Sequence, residues 1–417
     1  MTGLNRRHFL QGAGAVGAAS FALSACGQAE EKDAIERASQ SEPLAEAIVA
    51  FDGEHQAGVD TDMQAHLNLV GFDLKPGIGK RGFRNLMSLW TEDARALCTG
   101  ETPLGSLEPE MVDVPANLTI TCGWGEPVFD KLGAADLKPE WLRDIKPFAR
   151  DQLSDKWGQT DVVLQICCDD AVMASHAMRH MIRAGTDYAK VTWLQQGFAN
   201  SFGSLPHGAT HRNLFGQLDG TVNPRGEEEY DQQVWIDQGP DWAQGGTCMV
   251  VRRIRMNLDT WEKLDRATRE NSVGRKLSNG APLTGQEELD EPDYSATDKY
   301  GLPVIDPNSH MARARPPADH PEQKLKRRPY SYDLMPDYAD SQEEDLIQLS
   351  NAGLVFICFQ KDPTRQFEPI QARLDEADHL NTWISHIGSA VYFIPPGTSA
   401  GGTGSAFWGS ALLDAVR

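Results

Sequence analysis

Two runs of the chain echo one another and restrict what it can fold into. Val162-Val163-Leu164-Gln165-Ile166-Cys167-Cys168 and Leu354-Val355-Phe356-Ile357-Cys358-Phe359-Gln360 are both of strand length, rich in β-branched or aromatic residues, and followed by a helical pattern. A similar order of elements surrounds each. In the first half, 66–74, 117–122, 161–168 and 190–196 read as strands, and 83–97, 127–132 and 171–184 as helices. In the second, 248–256, 354–360 and 390–394 read as strands, and 258–264 and 364–374 as helices. Strands separated by helices on this plan predict an α+β fold of two ferredoxin-like units packed into one domain. The domain spans 47–417, with halves of about 60–200 and 245–417.

The N-terminus is an address rather than part of the fold. Arg6 and Arg7 precede a weakly apolar Gly/Ala-rich stretch from Gly12 to Ala25, the pattern of a twin-arginine export signal. That stretch is too mild for a strong transmembrane helix. It ends in Leu23-Ser24-Ala25-Cys26, which resembles the lipobox of bacterial lipoproteins. A lipid on Cys26 and ordinary cleavage beside an incidental cysteine are both open, so the expected location is periplasmic or cell-surface, with or without a tether. The signal is assigned 1–26. Residues 27–46 hold almost no bulky apolar side chains and read as a flexible tether, since they cannot bury enough surface to offset their ordering entropy.

A formal charge of −21 argues against nucleic acid or anionic lipid as partner. Of seven cysteines, Cys122, Cys167, Cys168, Cys248 and Cys358 sit in apolar strand-like runs, and no CxxC or Cys/His metal spacing occurs. Buried thiols are therefore expected rather than structural zinc.

Two long loop-rich stretches, 205–245 and 278–332, interrupt the regular elements. Loops of this length in a compact domain are usually functional or disordered, and the candidate chemistry they carry favours function. The first carries Gly216-x-x-Asp219-Gly220-Thr221-x-Asn223-Pro224, where the glycines open backbone conformations closed to other residues and let a flat ligand approach. The second carries Ser309-His310 and Arg327-Arg328-Pro329-Tyr330-Ser331-Tyr332. Histidine can bind iron through one ring nitrogen while the other donates to an acceptor, and arginine can stabilise a peroxide anion or departing hydroxide. Each segment alone has a plain reading, as an Asp-Gly turn, a loop histidine or a solvated basic run.

Taken together they resemble the dye-decolourising peroxidase family, especially its exported deferrochelatase/peroxidase branch. The resemblance runs from about Ala65 to the C-terminus and includes 250–256, Gly353-Leu354-x-Phe356, Gln366-Phe367 and Tyr392-Phe393-x-x-Pro396-Gly397. It implies a dimeric-α/β-barrel-type domain holding one haem b per chain. By position, it makes His310 the axial ligand of the haem iron. Gly216, Gly220 and Thr221 become cofactor-binding residues, Asp219 the distal carboxylate and Arg328 the distal arginine. Pro329, Gln217-Leu218 and Gly388-Ser389-Ala390 depart from the commoner family residues. The implied chemistry is reduction of hydrogen peroxide with oxidation of a small or bulky one-electron donor, in a homodimer or larger assembly.

Secondary candidates are weaker. His176 and His180 have helical metal-binding spacing but no third ligand, so a polar helix face is the simpler reading. His207 and His211 are candidates for a pocket edge. Arg252, Arg253 and Arg255 alternate on a strand, where only some can point inward and serve a haem propionate. Two other functions compete: a haem-binding deferrochelatase component of an iron-uptake system, alongside its permease components, and a lipid-anchored solute-binding protein without redox chemistry.

Overall fold

The computed structural model describes residues 44–335, 350–400 and 405–416. The export signal, Cys26 and the tether as far as residue 43 lie outside the described residues. The sheet contains β1 (His66–Leu74), β2 (Thr119–Gly125), β3 (Val162–Cys168), β4 (Ala189–Phe198) and β5 (Thr247–Met256). It continues with β6 (Lys326–Arg327), β7 (Tyr330–Leu334), β8 (Asn351–Gln360) and β9 (Ile384–Ile394). The strand order is β5-β9-β2-β3-β1-β4-β7-β8-β6, and β5 also pairs with β8, so the sheet closes on itself.

Each half keeps the ferredoxin-like order expected from the sequence, β2-β3-β1-β4 in one and β9-β5-β8-β7 in the other. The halves join through short antiparallel seams, Phe198 opposite Ser331 and Trp124 opposite Phe393. Closure removes the open edges that invite mispairing and divides side chains by parity between an interior and an outer face. Leu67, Leu69, Val163, Cys167, Met249, Val251, Val355 and Ile357 fill the interior. On the outer face of the first half, Val70, Phe72, Leu164 and Ile166 are covered by Phe83, Leu86, Met87 and Trp90 of the helix Lys80–Cys98. Met173, Ala177 and Met181 of the helix Ala171–Ala184 complete that cover. Burial on both faces is why β3 reads as an unbroken apolar run.

Three sequence expectations change. The helix expected over 258–264 stops at Leu258–Trp261, and Asp265 caps a separate helix, Arg266–Val273, by accepting from the Thr268 amide at 2.7 Å. The loop-rich stretches also contain the helices Gly226–Gln233 and His310–Ala314 and the strands β6 and β7. His176 and His180 are buried, not on a polar face: His180 Nε2 lies 3.0 Å from Asp93 Oδ2 against the first long helix.

Cys98, Cys122, Cys167, Cys168, Cys248 and Cys358 are free and buried. Burial pushes every one of these thiols up, Cys168 to about 12. No helix among the described residues is long and apolar enough to cross a membrane.

Candidate functional site

His310 opens the short helix His310–Ala314, which is fastened to the helix Phe367–Ala377 by reciprocal bonds: Arg313 Nε donates to the Arg373 carbonyl at 3.0 Å and Arg373 Nε to the Arg313 carbonyl at 3.1 Å. The His379 amide donates to the Asn308 carbonyl at 3.0 Å. These ties bring the imidazole to Asp378, whose Oδ2 lies 2.6 Å from His310 Nδ1. Asp378 is itself fixed, accepting from the Leu380 amide at 2.9 Å. His310 Nε2 makes no hydrogen bond among the described residues, and 30 % of the side chain is accessible. Burial pushes the ring's pKa down, but the neighbouring Asp378 carboxylate outweighs it, and the net shift is upward. The same carboxylate makes Nε2 a stronger electron donor. Asp378 is the partner that sequence reading had no means of naming.

The glycine motif shapes a tight loop. Gly216 and Gly220 have φ of 79° and 134°, the conformations that favour glycine. Asn213 Oδ1 accepts from the Phe215 amide at 3.0 Å, and Arg212 clamps the turn by donating to the carbonyls of Gly216, Leu277 and Ser278 at 2.6, 2.8 and 2.9 Å. Asp219 emerges from this loop, with Asn213 Nδ2 3.3 Å from its Oδ2. Arg327 Nη1 stands 2.9 Å from Asp219 Oδ1, close enough for ion pairing but off the hydrogen-bonding angle, so that buried oxygen has no donor. The motif also sets the arginine's place. Asn223 Nδ2 donates to the Arg327 carbonyl and its Oδ1 accepts from the Arg327 amide, both at 2.8 Å, as a neighbouring strand would.

The two adjacent arginines of the second loop part company here. Arg327 pairs with Cys358 of β8, and the Arg328 amide bonds to the Ile357 carbonyl at 2.8 Å, so the two side chains leave opposite faces. Arg327 takes the outer face with Asp219. Arg328, 1 % exposed, turns into the interior and donates to the carbonyls of Thr61 and Asp62 and to Gln64 Oε1. Thr221 is likewise structural in its contacts: its hydroxyl donates to Glu288 Oε1 at 2.8 Å, tying the motif to the second loop. His211 lines the cleft beside Asp219, whereas His207 is 93 % exposed. Arg252 shares the site's face of β5 and pairs with Asp151, while its Nε faces His386 Nδ1 at 3.4 Å. Burial, then Arg252 and His310, push His386 down to about 3.

The cleft is narrow and is lined by His211, Asn213, Asp219, Ser331 and Leu354 among others. Leu354 also belongs to an apolar shell with Phe215, Ile254, Met256, Trp261 and Leu380. A flat iron-bearing ring asks for a bare, oriented imidazole, apolar walls, and charge-handling groups. The described residues supply all three, and Asp219 Oδ1 is a buried acceptor still lacking a donor. They fit haem.

Comparison with known proteins identifies the family. The N-terminal and C-terminal family models of Dyp-type peroxidases match residues 56–199 and 210–399, and a twin-arginine signal model matches 3–22. A dye-decolorizing peroxidase of Thermobifida fusca is 32 % identical over 94 % of each chain. A deferrochelatase of Escherichia coli is 34 % identical over 87 % of this chain and 86 % of its own. The crystal structure of a DyP-type peroxidase from Cellulomonas bogoriensis, 42 % identical, superposes with a TM-score of 0.83 over 89 % of this chain and all of that one. A Rhodococcus jostii DypB variant in complex with heme shares the fold, at 18 % identity and a TM-score of 0.60 over 82 % of this chain and 95 % of that one.

Proposed function

The chain belongs to the Dyp-type peroxidase family, and from that premise we propose that His310, Asp219 and Arg327 form the working parts of its haem site. It is a haem-dependent oxidoreductase that reduces peroxide and oxidises one-electron donors. The observation that carries the site assignment is the His310–Asp378 bond, which orients one ring nitrogen and leaves the other bare.

When bound, haem would supply the iron for peroxide and would store the two oxidising equivalents drawn from peroxide until one-electron donors discharge them. His310 Nε2 would hold the iron, with Asp378 retaining the proton at Nδ1 and fixing the ring's orientation. Asp219 Oδ1 accepts the proton from the near oxygen of hydrogen peroxide and returns it to the far one. Arg327 stabilises the negative charge that develops on the departing hydroxide. Gly216 and Gly220 hold the loop that presents Asp219, and Asn223 holds Arg327 against it. Leu354, Phe215 and Trp261 would supply apolar walls beside the cofactor. In this reading Arg328 and Thr221 brace the site without touching the reacting atoms.

The cofactor assigned is haem b, one per chain, in a homo-oligomer. The twin-arginine signal exports the folded protein, here assigned to the periplasm or cell surface with a lipid on Cys26. The test is the absorption spectrum of reconstituted protein. The wild type should show a Soret band and His310→Ala should lose or shift it; a wild type without one, or an unchanged variant, overturns the assignment. A second reading, iron release from haem in partnership with an uptake permease, rests on the 34 % identity to the deferrochelatase. Metal-free porphyrin formed from haem under reducing conditions would establish it, and its absence would leave peroxide reduction as the activity.

A further inference from the structure

The backbone around the glycine motif sets a second titratable side chain beside Asp219. Arg212 and Leu218 form an antiparallel bridge, and the Asp219 amide donates to the His211 carbonyl at 2.9 Å. His211 and Asp219 therefore stand directly opposite one another, which puts their side chains on one face with Cβ atoms about 4.5–5.5 Å apart. Arg212, one residue on, has the other parity and reaches the carbonyls of Leu277 and Ser278. His211 and Asp219 both line the narrow cleft that also holds Ser331 and Leu354.

His211 reaches the cleft without a partner. Its side chain makes no hydrogen bond among the described residues, to Asp219 or to any other group, and its Nδ1 is buried. A buried N–H without an acceptor is rarer than a bare lone pair, so Nδ1 is the unprotonated nitrogen and Nε2 carries the hydrogen. Burial, then the charge of Arg328, pushes the ring below its ordinary pKa, with Asp169 and Asp62 opposing, so the ring is neutral at neutral pH. Asp219 contributes the complementary half, an acceptor whose Oδ1 also lacks a donor. A donor and an acceptor that share a cleft without touching are bridged by a small molecule able to accept from one and donate to the other.

We propose that His211 is a peroxide-holding residue, its Nε2–H donating to the hydrogen peroxide whose proton Asp219 accepts. This rests on the reading that Asp219 handles peroxide. Hydrogen peroxide carries both functions, an O–H donor and lone pairs on each oxygen, and it is small enough for a narrow cleft. His211 gives up no proton in the step. It fixes the substrate by a hydrogen bond to one oxygen, so that the other end meets Asp219 in a set orientation. The neutral ring suits that task, because it offers a donor without adding a second cation beside Arg328.

Stopped-flow mixing of the haem-loaded protein with hydrogen peroxide tests the assignment. His211→Leu should slow the bimolecular reaction at least tenfold with the Soret band intact, and His211→Gln, which keeps an N–H donor, should recover most of the rate. Since both residues hold one molecule, the loss in His211→Leu combined with Asp219→Asn should fall well short of the product of the two single losses. In the cofactor-free protein, nitrogen NMR of labelled histidine should show His211 with a bare Nδ1 and a protonated Nε2, assigned by the signals missing from His211→Gln. A slow Asp219→Asn beside a wild-type rate in His211→Leu, a glutamine variant as slow as the leucine one, multiplicative losses, or the opposite tautomer would overturn this proposal alone. Asp219→Asn reacting at the wild-type rate would overturn the reading beneath it as well.

Discussion

The two halves of the closed sheet follow one strand plan but cover their outer faces differently. Between β1 and β2 the chain spends 19 residues on one helix, Lys80–Cys98, whose Phe83, Leu86, Met87 and Trp90 are fully buried against the sheet. Between β5 and β6 the corresponding crossover holds helices of only 4, 8 and 5 residues. The middle one buries just Ser272 and Val273. Where the first half packs a continuous helix, the second is covered by loops and short helices, and there His310, Asp219 and Arg327 lie within electrostatic reach of one another. The lesson is that a repeated fold makes room for chemistry by withholding a layer from one copy. Outer-face changes should therefore cost stability in the first half and cofactor or activity in the second.

The strongest test is Trp90→Ala. Removing a fully buried indole should destabilise the domain by about 3–5 kcal/mol and leave the spectrum of the folded fraction unchanged; urea unfolding and absorption on the same sample check both. A spectral change would break the comparison. Next, Arg327→Leu should lower the rate of reaction with peroxide by about 10²–10³ with haem retained, as for loss of one charge-stabilising donor. Its neighbour Arg328→Leu should lower Tm and keep the rate near wild type; stopped-flow kinetics that reversed the two would place the site on the interior face. Asp378→Asn should weaken haem binding by about 10–100-fold, read by haem transfer to an apo-globin.

The smallest effect is a pH slope in the cofactor-free protein. His386 is held neutral far below its unfolded pKa, so the unfolded chain takes up a proton that the folded one refuses. Stability should fall as pH drops from about 6.5 toward 3, and His386→Gln should flatten that fall in urea midpoints. An unchanged slope would remove His386 from the account.

Strands were the most legible part of the molecule. β1 runs from His66 to Leu74, as its pattern predicts, and β3 and β8 announce themselves because both of their faces are buried. β6 and β7 escaped notice: they are short, carry Arg327, Arg328 and Pro329, and exist through pairing with β8, a contact that local composition does not encode. The same limit explains the arginine. A family motif with adjacent arginines places both near the histidine, but a one-residue change of parity sends a side chain to the other face. Asp378 meets His310 across 68 residues of sequence, through helices fastened by Arg313 and Arg373. Asp219 was named only through several segments taken together, since Gly216-x-x-Asp219-Gly220 by itself reads as an Asp-Gly turn.

The buried thiols have a consequence for life beside an oxidant. Peroxide attacks thiolate rather than thiol, and reactivity tracks both ionisation and access. Cys98, Cys122, Cys167, Cys168, Cys248 and Cys358 combine burial with raised pKa values, so they stay protonated and out of reach. Packing that holds the barrel together thus also acts as chemical armour: as long as the wall stays folded, the sulfur within it is spared by the reagent the protein is built to consume.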